Sequence, residues 1–345
     1  MFQWVLSSKG LAQSAEQSSE ADSATPLENT ESKKDGTDPV NKPGAQNNKM
    51  MPGWARFVPF FVSAVFFLSR FFALFAPLPL LMLYMQKGRR WTWLAAISNG
   101  VIVGLAGGLS GLLFYCVFVI SLSLTLPELL VRKKSMAGSA ALTLLVMTFA
   151  AAIVALGYSS FQHVNLMDEL SQTIGQTVDY FTKTLASSSS TWMDPSEIAE
   201  LKRSLVLEFP SALAIFALIL VWSNLVILIK ANPNGLRERL GLDLAYLKKW
   251  KAPEFLVWPT ILSGFFLIGD FGIVSVVALN VFKFLMAVYV IQGLSVLSYF
   301  YDLWGIRGLF RFMGLALPLL LSSPLIAGVG FFDLWFDFRS KFRQS

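Results

Sequence analysis

Cysteine and histidine are almost missing from this chain, Cys116 and His163 occurring once each in 345 residues. A single thiol excludes an intrachain disulfide framework and a cysteine-built metal site, and a single imidazole excludes a multi-histidine centre. No metal and no cofactor is therefore expected, and Cys116 reads as a small packing or lipid-facing residue. Charge is also thin, at 14% of residues, where soluble domains carry about 25%. HExxH and the P-loop are both absent, which excludes zincin chemistry and a nucleotide power source bound to this chain. No paired transmembrane aspartates and no serine and histidine pair suggest intramembrane proteolysis, and no acid and base pair is visible, so the chain is not expected to be an enzyme.

What fills the sequence instead is apolar: 54% of residues are hydrophobic and the mean hydropathy is +0.57. The apolar residues form blocks at 57–85, 94–131, 137–157, 205–229, 255–301 and 309–332, near or above the roughly 18 residues that mark a membrane span. These blocks predict an all-α fold, a polytopic transmembrane helix bundle with eight to nine crossings and broken or re-entrant segments. The net charge of +6 sits in short clusters beside the blocks, where it orients a membrane protein with the positive side in the cytoplasm. The partner it implies is the lipid bilayer, not nucleic acid.

Residues 1–52 are a different material, rich in Ser, Asn, Gly and Pro with no apolar period, and predict a disordered polar tail ahead of a membrane domain at 53–345. MFQWVL is too short for a signal-peptide core. Met50 and Met51 stand just before the first apolar block, which raises a start of translation there as an alternative to Met1.

The block 57–85 contains Pro77 and Pro79; as one straight helix it would reach about 44 Å against a hydrocarbon core of about 30 Å, so a break at the prolines is expected. KGRR at 87–90 and RKK at 132–134 both belong on the cytoplasmic side, which demands an even number of passes between them. The glycine-rich NGVIVGLAGGLSG midway supplies a turn or a close helix contact. The acidic connection 158–203 holds an amphipathic helix through Leu166, Leu170, Ile174, Val178 and Phe181 that lies on the surface or caps a cavity. Asp194, Pro195 and Glu197 open the next helix as cap, first and third positions. In the basic loop 230–251, Leu236, Leu240, Leu244 and Leu247 share a face suited to headgroups or a partner. Strict alternation from that loop leaves the basic RSKFR end on the outer side, against the charge rule, and an extra or re-entrant pass at GDFG (269–272) would remove the conflict.

Lys283 stands inside the run 278–300 together with Asn280 and Gln292. A mid-membrane lysine costs about 2.5 to 3.5 kcal/mol, several times what one Leu or Phe returns. It must face the bundle interior, with Asn280 on its side and Gln292 about 120° away from Asn280. Asp270 and Asn224 are candidate partners for it. These five residues are the candidate substrate-binding site for an anionic or hydrogen-bonding solute. The structural alternative is a lysine and carboxylate pair with amides joining helices.

PLPLLMLYMQKGRRW (77–91), NVFKFLMAVYVIQGLSVLSYF (280–300) and GFFDLWFDFRSK (330–341) resemble the YybS-like bacterial membrane proteins. That family shares a proline break before a Gly-Arg loop, a Gln-Gly pair and a terminal pattern of Gly, Asp, Trp and Arg. The resemblance covers about 57–343 and implies a multi-pass protein of the bacterial cytoplasmic (inner) membrane, of uncharacterised activity. The chain is more remotely similar to the substrate-binding subunits of energy-coupling-factor transporters and to MreD-type proteins. The former carry AxxxA in an early helix, whereas here it occurs at Ala137–Ala141 and Ala151–Ala155. Two functions follow as expectations: solute binding or transport through the polar pocket, or a non-transporting scaffold of an envelope or division machine. The scaffold would dock a membrane or cytoplasmic partner protein through Asp333, Trp335, Asp337 and Arg339. A weaker third, an enzyme of lipid-linked substrates, would hold a phosphate with Arg70 and Lys283.

Overall fold

The computed structural model describes residues 58–132, 135–186, 194–231 and 240–341; the expected tail, the alternative starts and Leu236 lie outside them. The described elements are helical throughout. Helices α1 (Val58–Leu68) and α2 (Pro77–Lys87) flank a 3-10 turn, Ala73–Phe75. Helix α3 (Arg89–Phe114) runs through a wide π turn, Tyr115–Ile120, into α4 (Ser121–Val131). There follow α5 (Met136–Gln162), α6 (Leu166–Ala186), α7 (Pro195–Ala231), the short α8 (Leu244–Lys249), a 3-10 turn at Glu254–Leu256 leading into α9 (Val257–Phe266), α10 (Ile273–Leu303), α11 (Gly308–Phe336) and α12 (Phe338–Lys341).

Five of these stretches are long and apolar enough to cross a bilayer: Arg89–Val131, Met136–Gln162, Pro195–Ala231, Ile273–Leu303 and Gly308–Phe336. That is fewer than the eight to nine crossings expected from the apolar blocks. The first is 43 residues long, about 65 Å if straight, and it is not straight. Gly108 has φ 68°, a backbone that a β-carbon disfavours, and the chain doubles back there. A β-carbon on Gly100 would touch the Leu112 side chain at 3.6 Å, although twelve helical residues would hold the two about 18 Å apart. The two ends meet accordingly: Tyr84 at the end of α2 donates to Glu128, which pairs with Arg132 at 2.6 Å.

The first block breaks before its prolines, not at them. Residues 69–76 leave the α-helix, Arg70 adopts φ 56°, and Pro77 then opens α2 at its first turn, where a missing N–H costs nothing. The freed backbone is covered by buried side chains: the Ser63 hydroxyl donates to Ala76 O at 2.7 Å and meets the Tyr115 hydroxyl at 2.9 Å, and Ala64 N donates to Asn99 Oδ1 at 3.1 Å. Such irregular backbone persists inside a membrane only where protein satisfies it.

The amphipathic α6 packs on α7 through Val178, which is buried, and Lys202 reaches Asp179 at 2.7 Å. Helix α7 starts with Asp194 N donating to Glu197 Oε2 at 3.0 Å. The basic loop behaves differently from expectation: of the described leucines of its expected face, Leu247 is buried in the core made by α2, α4, α5 and α7 and Leu240 packs against it, as does the neighbouring Leu242. Helix α9 is a short rise that turns at 267–272 into α10. The C-terminal turn after Asp337 folds back on the loop at 248–251, which brings the two basic segments together, as the charge rule asks and strict alternation does not.

Candidate functional site

The sequence candidates fall into three separate places. Along the seam of α7 and α10, Pro210 interrupts α7. A proline there removes a backbone hydrogen bond and crowds the preceding turn. Asn280 fills the gap: its Oδ1 accepts from Ser211 N at 2.8 Å and its Nδ2 donates to Leu207 O at 2.9 Å. Ser211 N and Leu207 O are the donor and acceptor that a regular helix would join directly, so the asparagine amide stands in as an extra peptide between them. One turn along α10, Lys283 Nζ meets Glu208 Oε2 at 2.5 Å. Neither expected partner is there. Asp270 is exposed and accepts from Gly272 N at 3.0 Å to shape its own turn, and Asn224 lies sixteen residues beyond Glu208, about 24 Å along α7. Lys283 and Glu208 border a cavity of about 350 Å³ roofed by Ile174, Thr177 and Val178 of α6.

Asn224 occupies the second place. Its amide donates to Leu74 O at 2.8 Å, inside the 3-10 turn between α1 and α2, and to Leu220 O at 2.8 Å. The broken segment thus takes its support from a helix 150 residues away in sequence.

The third place centres on Gln292, which is fully buried. Its Oε1 accepts from Ala252 N at 3.0 Å and its Nε2 donates to Asp333 Oδ2 at 3.2 Å. The same oxygen takes Arg339 Nη2 at 2.6 Å, and Arg339 Nη1 donates to Lys248 O at 2.8 Å and Trp250 O at 3.1 Å. Ser295 adds a bond to Leu247 O at 2.8 Å. Together these side chains clothe the irregular backbone of 247–252. Gly293 and Gly330 let α10 and α11 touch: a β-carbon on either would fall 2.1 Å from Ile326 O or 2.0 Å from Tyr289 O. Asp333 and Arg339, expected to meet a partner, face inward with relative exposures of 0% and 6%. Asp337 is bonded to Lys251 at 2.7 Å, whose ammonium holds its carboxyl below the usual range. Trp335 alone of the four projects outward without a charged partner, packed at one edge on Phe331.

Two further hollows carry no sequence candidate. An apolar cleft of about 420 Å³ lies between α5, α7, α10 and residues 250–256, walled by Ala137, Ala140, Ala141, Ala214, Trp222 and Phe284. The alanines could have announced it, since Ala137–Ala141 is one of the AxxxA pairs and small side chains leave room between helices. Beyond Trp222 lies a basic hollow of about 470 Å³ with Lys230, Lys248 and Arg311 in its wall.

No curated protein matches the chain, and no solved structure matches it. A family model described as a predicted membrane protein, DUF2232, matches residues 57–334, the whole described bundle but for residues 335–341. The chain is a multi-pass integral membrane protein and belongs to the DUF2232 family of predicted membrane proteins.

Proposed function

We propose that the protein binds an amphipathic small molecule inside its helix bundle, in a role related to solute uptake or transport across a bacterial inner membrane. The observation that supports this reading most is the cleft among α5, α7 and α10: its size falls in the range of about 300 to 1,000 Å³ typical of small-molecule sites, and its walls are mostly apolar side chains, joined by Thr148, Trp222 and Trp250. The polar residues first nominated for the site support it only indirectly. Asn224, Asn280 and Gln292 each bond broken backbone, Gln292 also serves Asp333, and Lys283 has its carboxylate, so they frame the bundle and leave the ligand to the cleft. Within this reading the doubled-back α3–α4 counts as two passes and α1–α2 and α9 as broken ones, which keeps eight to nine passes as the working topology and the YybS-like likeness as the working kinship.

The test is native mass spectrometry of the purified chain beside Ala140→Phe, a substitution that fills the cleft. The wild type should carry a bound small molecule or lipid that the variant loses while keeping its thermal transition. An identical adduct pattern in both proteins would rule the cleft out.

The scaffold reading keeps one supporting observation, the outward Trp335 and Phe336.

A further inference from the structure

We infer that the basic hollow at the end of α7 seats a phosphate-bearing lipid headgroup whose acyl chain continues into the apolar cleft; the inference rests on the cleft being a ligand site. Three cations line the hollow, Lys230, Lys248 and Arg311. Asp302 is the carboxylate that Lys248 and Arg311 share, and it neutralises one of them at most. Among the described residues Lys230 has no ion pair, so positive charge is left over on a concave surface. Arg311 is held in place: its Nη2 donates to Ser298 O at 3.1 Å and to Ser298 Oγ at 2.5 Å, which fixes the guanidinium plane and leaves other N–H groups unspent. A fixed guanidinium beside mobile ammonium groups is the donor set that suits phosphate oxygens.

The hollow and the cleft also adjoin. Trp222 and Ile291 line both the hollow and the cleft, and the Trp222 ring packs on Trp250 with centroids 5.0 Å apart. The two spaces are therefore neighbours along one face of α7 and α10, one charged and one apolar. A molecule that fills both must carry an anionic head on an apolar tail. A basic cluster that merely orients the protein in the membrane needs no hollow and no adjoining cleft. Ordinary interfacial lysines would also favour anionic lipid, but without a fixed number of bound molecules.

The test uses the full chain in detergent, titrated separately with phosphatidic acid, phosphatidylcholine and inorganic phosphate, and read by native mass spectrometry. Lys230→Gln is the informative variant because Lys230 is exposed and supports no described ion pair. The expected result is one phosphatidic acid per chain, preferred over phosphatidylcholine, with affinity lowered roughly tenfold by Lys230→Gln, the scale of one charge-assisted contact. Ala140→Phe should weaken the same adduct. Tight binding of inorganic phosphate with no gain from the lipid tail would overturn the lipid and leave a free-anion site. Adducts lost with Ala140→Phe but unchanged by Lys230→Gln and Lys248→Gln would overturn the headgroup seat while the cleft reading stands. Multiple equal adducts, unmoved by any variant, would overturn both.

Discussion

Helix α10 carries polar side chains at two stations, Asn280 with Lys283 and, about 14 Å further along by helical rise, Gln292 beside Gly293, and the two are built on opposite principles. At the first, the amide repairs a neighbour's broken ladder while the lysine pair stays partly open, with side chains 38% and 30% exposed beside a cavity. At the second, Gln292, Asp333 and Arg339 are sealed, Gln292 Nε2 and Arg339 Nη2 are committed to the Asp333 carboxylate and Arg339 Nη1 to backbone, and two glycines press the helices together. Polarity inside an apolar helix thus does not by itself mark a binding site. What separates the stations is whether any donor remains unclaimed next to open space, and on that criterion neither is the best site in the molecule.

The sharpest way to break this contrast is to remove Asp333. Asp333→Ala leaves Arg339 buried without a counter-charge, a change that costs about 3 to 5 kcal/mol. A large loss of thermal stability and of monodisperse protein is expected, and Asp333→Leu combined with Arg339→Met should recover much of it, because a paired removal leaves no orphan charge. If Asp333→Ala melts like the wild type, the C-terminal station is not a closed clamp.

A smaller effect tests the first station. Asn280→Leu strips partners from Ser211 N and Leu207 O, and each buried group left unsatisfied costs about 1 to 3 kcal/mol. With Pro210→Ala the two groups can bond to each other again. The double variant should therefore lose less than the sum of the single ones, by about 1 kcal/mol in a double-mutant cycle. Strict additivity would mean that Asn280 does not serve the proline break.

The smallest effect is electrostatic and sits at the edge of the sealed station. Lys251 depresses the Asp337 carboxyl in the folded chain, so the pair adds stability at pH values above the unfolded aspartate range, about 3.9, and that contribution disappears as pH falls through the lower folded value. Both side chains are about two-fifths exposed, and solvent screening keeps the gain slight. Melting curves between neutral pH and pH 3 should converge for wild type and Asp337→Asn at the acid end and separate slightly at the neutral end. Curves that diverge on acidification would reverse the assignment.

Much of the helical class was legible, because long apolar blocks and basic clusters carry their meaning locally. So was the turn inside the glycine-rich stretch, where Gly108 takes the backbone that the even-pass argument needed. The cost of burying charge pointed to a carboxylate partner for Lys283, but which one it was could not be read. Glu208 stands fourteen residues into α7; which carboxylate crosses to which lysine is set by helix packing that no spacing rule encodes. The same limit applies to Asn224 and Asn280. Their composition announced an interior amide, while the backbone they serve is determined by breaks at 69–76 and at Pro210 in other helices. The charged pattern of Asp333 and Arg339 suits partner docking as well as an internal pair, and only the packing shows that they are buried. The cleft was missed for a simpler reason: small apolar residues carry no chemistry of their own, and only the packing shows the space they leave.

The bonds of Arg339 to Lys248 O and Trp250 O span 91 and 89 residues, and this imposes an order of events during biosynthesis. When residues 247–252 leave the ribosome, Leu247 O can take Trp250 N at once and Ser295 Oγ some fifty residues later, whereas Lys248 O and Trp250 O wait for Arg339. Throughout that interval water or a temporary contact must satisfy them. The final turn therefore acts as a latch on a segment synthesised long before it, and chains cut short ahead of Asp333 would present an unfinished seam of open backbone to the cell's quality control.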